Sequence, residues 1–253
     1  MSFEADASVY DRHVGRYGAQ LAAALIEAVG IGARDEVLDV GCGPGPLTSA
    51  LAERAGAVAA VDPSRSFVAA CRARVPRADV REGSAESLPF EDDGFDAVLS
   101  QLVVNFLRDA EAGVREMRRV ARPGGTVAAS VWDYAGEMTM LRAFWDGALA
   151  IDPRAPDEGR TMRYCSEPEL ADLWRTAGLA DVTTGALVVQ ASYDDFDDYW
   201  SPFPTGLAPS GAYCASLPAD RQEQLRGAVF ERLGRPRGAF TLGARAWFAR
   251  GRA

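Results

Sequence analysis

The stretch that most narrows the choice of fold is Val37-Leu38-Asp39-Val40-Gly41-Cys42-Gly43-Pro44-Gly45. A short β-rich run, Glu36 to Val40, opens straight into three glycines spaced GxGxG, and a helical stretch from Pro46 to Arg54 follows. A buried strand that ends in glycines and feeds a helix lets backbone approach a ligand at the carboxyl end of a parallel sheet. The dinucleotide form of this loop carries its third glycine one place later, where the helix start meets a pyrophosphate. The spacing here favours a ligand that is uncharged at that point.

The same alternation continues downstream. A second strand, Ala57 to Val61, is closed by Asp62-Pro63, and Ser64 is a good N-cap for a helix running to Arg74. A third strand covers Asp79 to Glu82 and a fourth Phe95 to Ser100. The helix Asp109 to Val120 carries Val114, Met117 and Val120 at helical spacing, and Arg122-Pro123-Gly124-Gly125 reads as a turn into a fifth strand, Thr126 to Trp132. Strand and helix alternate five times, which is the pattern of a parallel sheet covered on both faces, joined by right-handed crossovers. An amphipathic helix, Arg16 to Val29, precedes the first strand and ends at Gly30 and Gly32.

After Trp132 the regularity breaks. A helix from Met138 to Ala150 leads through a Pro-containing linker, Asp152 to Arg160, to a helix from Glu167 to Ala177. Two more strands, Val182 to Gln190 and Phe240 to Ala249, flank an insertion of residues 192–238. That insertion holds an acidic-aromatic patch, Tyr193 to Trp200, a Pro/Gly-rich loop from Pro202 to Gly211 and a polar helix from Ala219 to Leu233. The fold class read from this order is α/β: a Rossmann-like, doubly wound, mostly parallel seven-stranded sheet with helices on both faces. A helical and loop cap is inserted between its last two strands. Residues 1–253 read as one domain, with 1–35 an N-terminal helix and lid, 36–132 a ligand-binding half and 133–253 a substrate-facing half.

Composition removes several function classes. The net charge is −9 and the arginines are scattered, so a phosphate backbone finds no basic face, and no nucleic-acid partner is expected. All 27 basic residues are arginine. The absence of lysine excludes a Walker-type phosphate loop, a Schiff-base lysine and a Tyr-Lys dehydrogenase pair. Four cysteines, Cys42, Cys71, Cys165 and Cys214, are far apart and the chain has a single histidine, so no metal site is expected. No apolar run reaches membrane-span length, and the acidic start Met1-Ser2-Phe3-Glu4 has no apolar leader core. Reduced thiols in a cytoplasm and no membrane partner are the expectation.

Residues 37–132 resemble, motif by motif, the class I S-adenosylmethionine-dependent methyltransferases, especially the large family that includes the ubiquinone/menaquinone-biosynthesis type. The resemblance implies that Asp39, Gly41, Cys42 and Gly43 form the loop that holds the methionine part of S-adenosylmethionine. It places Asp62, beside Pro63, at the ribose hydroxyls, and Ser84, Ala85 and Glu86 at the adenine edge. Gln101, just past the fourth strand, is placed at the methionine moiety. Two positions depart from the family pattern: Ser84 replaces an acid or amide, and Asn105 stands where many relatives carry histidine. The segment Tyr10 to Tyr17 resembles a lid whose Arg16 or Tyr17 reaches the methionine carboxylate, and His13 within it is the candidate general base. Trp132, Tyr199 and Trp200 are the candidate walls of a substrate pocket.

The function implied is methyl transfer from S-adenosylmethionine to an O, N or C nucleophile of a small molecule, by in-line displacement, with S-adenosylhomocysteine as product. A protein that binds the same cofactor but regulates, or catalyses another reaction, satisfies the same motifs, because cofactor and acceptor sites are separate. The oligomeric state is left open.

Overall fold

The computed structural model describes residues 13–253. Their chain forms two compact units, each assembled from separate segments: unit 1 holds residues 13–17, 133–162 and 188–245, and unit 2 holds 18–132, 163–187 and 246–253.

Unit 2 is built on the sheet. Its strands are β1 (Glu36–Val40), β2 (Ala57–Asp62), β3 (Asp79–Glu82), β4 (Phe95–Gln101) and β5 (Ala121–Trp132). With β6 (Ala180–Tyr193) and β7 (Phe240–Arg252) they make seven strands in the order β3-β2-β1-β4-β5-β7-β6. The pairs β1–β2, β1–β4, β2–β3 and β4–β5 are parallel, whereas β5 and β7 run antiparallel from Thr126↔Arg252 to Trp132↔Ala246. The chain passes from unit 2 into unit 1 within β6 and returns within β7. The doubly wound, mostly parallel, seven-stranded sheet expected from the sequence is the one observed.

The connecting helices of unit 2 are α1 (Gly18–Val29), α2 (Pro46–Ala52), α3 (Arg65–Arg74) and α4 (Ala110–Val120). Ser64 caps α3 as expected, its hydroxyl accepting from the Phe67 amide at 3.5 Å, and Asp109 caps α4 through the Ala112 amide. Along α4 the residues Ala110, Gly113, Val114, Met117 and Val120 are buried, the i, i+3, i+4, i+7 stripe of a helix laid on a sheet. Residues 14–17 form a separate 3-10 turn ahead of α1, so the helix expected from Arg16 begins at Gly18.

One local expectation is corrected. Arg122-Pro123-Gly124-Gly125 is no turn before β5 but lies inside it, as a bulge. Phe95 pairs with Ala121 and Ala97 with Thr126, so β5 inserts extra residues against β4. Gly124, at φ +78°, absorbs them in a conformation that side chains disfavour.

Unit 1 contains α5 (Thr139–Ile151), α6 (Glu158–Thr161), α8 (Phe196–Trp200), α9 (Ala208–Ser216) and α10 (Ala219–Arg232), while α7 (Glu167–Thr176) belongs to unit 2. α5 and α10 cross closely because Gly147 has no side chain: a Cβ there would lie 2.7 Å from Val229 Cγ2. The acidic patch is largely a helix start, with Asp195 accepting from the Asp198 amide at 2.8 Å. The interior of the unit is aromatic. Phe144 stacks on Phe203 at 4.5 Å between ring centroids, and Phe196, Tyr199 and Trp200 pack beside them. No helix among the described residues is long and apolar enough to cross a membrane.

Candidate functional site

The sheet order reverses between β1 and β4, and in open α/β sheets ligands bind at the carboxyl ends of the strands at such a reversal. The GxGxG loop stands there. All three of its glycines have left-handed backbone, with φ of +77° at Gly41, +53° at Gly43 and +94° at Gly45. Their surroundings differ. A Cβ at Gly41 would lie 2.4 Å from Val103 Cγ2, and one at Gly45 would lie 2.9 Å from Cys71 Sγ. Gly43 alone of the three faces open space, with nothing within 4 Å of where a Cβ would be. Gly41 and Gly45 are glycine for packing; Gly43 leaves room for something else.

Asp62, at the end of β2, ties this loop in place. One carboxylate oxygen accepts from the Gly43 amide at 2.9 Å and the other from the Ser64 amide at 2.8 Å. Burial raises its pKa, and these two amide bonds offset the rise in part. Asp39 is fully buried on β1, where Oδ2 accepts from the Thr48 hydroxyl at 2.6 Å and Oδ1 has no hydrogen-bond partner. Burial pushes its carboxyl up to about 8, against the pull of the Thr48 bond and with a further rise from the thiol of Cys71 and the charge of Asp62. Cys42 turns its side chain into a core cluster with Ala60, Val68, Cys71 and Val80, so it offers the loop only its backbone. Its hydrogen bond to Cys71 and its burial hold the Cys42 thiol above the usual range.

The adenine-edge residues form a tight local turn. Ser84 bridges to Ser87, the Ser84 hydroxyl donates to the Glu86 carboxylate, and the Arg108 amide donates to the other Glu86 oxygen at 3.2 Å. Ala85 is buried and Pro63 is exposed. Gln101 closes β4, where Nε2 donates to the Gly18 carbonyl at 3.2 Å and the buried Oε1 has no partner. The next residue, Leu102, has φ +64°, a strained value for a side chain with a Cβ, and its amide donates to Ser130 O at 2.8 Å. Asn105 lies in the 3-10 turn Val104–Phe106 that follows.

Unit 2 therefore brings together Asp39, Gly41, Cys42, Gly43 and Asp62 around one loop. Sequence reasoning missed Thr48, Leu102 and Val103. Thr48 carries a signal: it is the only hydroxyl on the buried face of α2. A cleft of about 370 Å³ exists at the opposite, amino-terminal ends of the strands, lined by Asp35, Asp96, Arg122 and Arg252 among others. Its Arg122 is held by Glu36 and Asp96, and its Arg252 by Gly124 O and Thr126.

The remaining candidates are in unit 1, apart from Trp132, which ends β5 fully buried in unit 2. Tyr17 is buried with its hydroxyl 3.2 Å from that of Tyr193, and Arg16 pairs with Asp198, donates to Ser192 O at 3.1 Å and lies 4.7 Å from the Tyr193 ring centroid. Both are engaged inside unit 1. Tyr10, Asp11 and Arg12 of the expected lid lie outside the described residues. Tyr199 donates its hydroxyl to Met140 O at 2.8 Å, and Trp200 is buried beside Phe144. His13 is 2% exposed, edge-on to Phe203 at 4.9 Å, and its Nε2 has no partner among the described residues. Burial and the nearby Arg16 charge lower its pKa to about 4, so the ring is neutral near pH 7.

A ligand with a methionine end and a ribose fits the unit 2 arrangement. Gly43 leaves space for it, Gln101 Oε1 lacks a donor, and Asp62 is a carboxylate at the end of β2. Residues 38–129 match the sequence model of a family described as a methyltransferase domain. Uncharacterized proteins of Mycobacterium tuberculosis and Mycobacterium bovis are 35% identical over 122 residues, 47% of this chain and 44% of theirs. The match thus spans less than half the length of these relatives. A malonyl-[acyl-carrier protein] O-methyltransferase of Serratia marcescens is 32% identical over 193 residues, 72% of this chain and 74% of that protein. Among solved structures, the YcgJ protein of Bacillus subtilis shares the fold with a TM-score of 0.61 at 22% identity, over 93% of this chain and 98% of that one. With that glycine loop, that sheet order and a relative matched over most of its length, the chain belongs to the class I S-adenosylmethionine-dependent methyltransferases.

Proposed function

We propose that the protein transfers a methyl group from S-adenosylmethionine to a small-molecule acceptor, with unit 2 holding the cofactor and unit 1 the acceptor. The observation that carries the cofactor half is the pairing of an open Gly43 with the Asp62 carboxylate that fixes its amide. When bound, the cofactor supplies a methyl group already made electrophilic by a sulfonium. The chain's own residues then have limited work: to bind, to orient and to exclude water.

In this reading Asp62 accepts from the ribose hydroxyls with lone pairs that its two amide bonds leave over. Gln101 Oε1 accepts from the methionine ammonium, and Ser84 and Glu86 border the adenine. Asp39 acts through Thr48 and through the loop, since its carboxyl is enclosed. Tyr199 and Trp200 belong to the aromatic interior that shapes the acceptor side, and Arg16 and Tyr17 brace the entry segment against Tyr193 and Asp198. His13, neutral near pH 7 and with no partner at Nε2 among the described residues, can accept a hydrogen bond from an acceptor hydroxyl, and the burial that lowers its pKa to about 4 makes it a weak base. Direct displacement at the sulfonium methyl requires no nucleophilic side chain.

The test is a product screen: purified protein, isotopically methyl-labelled cofactor and a panel of small hydroxyl, amine and activated-carbon acceptors, read by mass spectrometry. Transfer of the label to one acceptor class supports the reading. Tight cofactor binding without transfer to any acceptor would favour a binding or regulatory role instead.

A further inference from the structure

Buried polar atoms in folded proteins nearly always have partners, and each one left without costs about 1–3 kcal/mol. Three such atoms in unit 1 belong to residues that touch Phe144 or Phe203, or to the helix packed on the Phe203 backbone. His13 Nε2 belongs to a ring set edge-on to Phe203, and Phe203 stacks on Phe144 at 4.5 Å. Ser210 Oγ, on a residue with no exposed surface, lies in the first turn of α9, which sits directly on Phe203: a Cβ at Gly211 would be 3.2 Å from Phe203 O. Tyr213 OH is the third, one turn further along the same face of α9, its ring 6.4 Å from Phe144 and 5.5 Å from Trp145. None of the three has a hydrogen-bond partner among the described residues.

We propose that unit 1 recognises its acceptor with His13 Nε2, Ser210 Oγ and Tyr213 OH, and that the acceptor is a neutral, apolar molecule bearing a hydroxyl, such as a phenol. This deepens the methyl-transfer reading and rests on it for the word acceptor.

The charge distribution selects neutrality. The arginines of unit 1 that reach inward are matched by carboxylates: Arg142 by Asp146 and Asp157, Arg245 by Asp133 and Glu137, Arg16 by Asp198. A carboxylate ligand, like the malonyl group in the name of the Serratia relative, would have to break one of these pairs. A cationic ligand would meet Glu158, but that carboxyl is enclosed and already accepts from Trp145 Nε1 at 2.8 Å. The three groups without a partner among the described residues are an imidazole and two hydroxyls, all uncharged near pH 7. They suit a ligand that both donates and accepts, with an apolar body for the phenylalanine pair.

His13 is the only histidine in the chain, so its ring nitrogens give unambiguous signals in protein labelled with ¹⁵N-histidine. Protein saturated with S-adenosylhomocysteine is titrated with 2-naphthol, 2-naphthoate and 2-naphthylmethylammonium, and loading is followed separately by calorimetry. The expected result is a saturable shift of Nε2 with 2-naphthol alone. Ser210→Ala and Tyr213→Phe should each weaken that binding roughly 3- to 10-fold, the scale of one lost hydrogen bond, at unchanged S-adenosylhomocysteine affinity. An Nε2 signal indifferent to every neutral hydroxyl probe, or a response to naphthoate equal to that of naphthol, overturns the proposal. A naphthol response in protein that fails to load S-adenosylhomocysteine would uphold this recognition site and sink the methyltransferase reading instead.

Discussion

Replacing Gly43 by alanine separates a ligand role from a backbone role. Gly43 has φ +53°, and nothing lies within 4 Å of where its Cβ would stand. The stability cost of Gly43→Ala is then conformational alone: about 1–2 kcal/mol for a left-handed L-residue, reduced by the lost freedom of the unfolded chain to roughly 1 kcal/mol net. Gly30, after α1, supplies the control, because it has φ +81° and equally open surroundings but lies remote from the loop. The two variants should lose similar stability in urea denaturation. They should differ in cofactor affinity. The new methyl at position 43 occupies the one open side of the loop, so S-adenosylhomocysteine binding should fall at least about tenfold, or 1.4 kcal/mol, measured by calorimetry. Gly30→Ala should bind as the parent does. If Gly43→Ala kept its affinity within twofold, the open face of the loop would have no ligand to receive, and the placement of the cofactor there would be wrong.

Other perturbations carry equally definite outcomes. Asp62→Ala removes the acceptor of two amides and of the proposed ribose contacts, so cofactor affinity should drop by about 1.5–3 kcal/mol in calorimetry; a change below twofold would remove Asp62 from the site. Asp39 has a folded pKa pushed up to about 8, against about 3.9 when unfolded, so the unfolded chain releases this proton first as pH rises. The parent should therefore lose stability relative to Asp39→Asn between pH 4 and pH 8, at up to about 1.4 kcal/mol per pH unit; parallel urea-denaturation curves across that window would show the carboxyl is ionised in the fold. Trp200→Ala and Tyr199→Ala should reduce turnover of the acceptor while sparing cofactor affinity, and loss of cofactor binding in a still-folded variant would contradict the division between units.

What could be read from the sequence was what is encoded locally. The strand ends at Val40 and the left-handed positions at Gly41, Gly43 and Gly45 follow from residue type and order, and so does the Ser64 cap. What could not be read depends on partners far along the chain. Arg122-Pro123-Gly124-Gly125 has the composition of a turn, but pairing of β5 with β4 on either side of it and backbone bonds of Gly124 and Gly125 with Ala253 draw it into a bulged strand. Arg16 and Tyr17 look like an open lid until Tyr193 and Asp198, some 180 residues later, engage them. The role of Asp62 as a clamp on the Gly43 amide needs the register of β1 beside β2, and no motif announces it. Ser210 sits in the Pro202 to Gly211 run that reads as loop and Tyr213 just beyond it, and only the helix Ala208–Ser216 sets them on one face.

In the proposed function the loop after β1 and the carboxylate at the end of β2 hold S-adenosylmethionine without a metal. Calorimetric titration of the protein with S-adenosylhomocysteine in the presence of chelator tests it most directly. One molecule should bind per chain with a dissociation constant on the order of micromolar, about −8 kcal/mol. Absence of binding heat, or heat that appears only when divalent ions are restored, would contradict it.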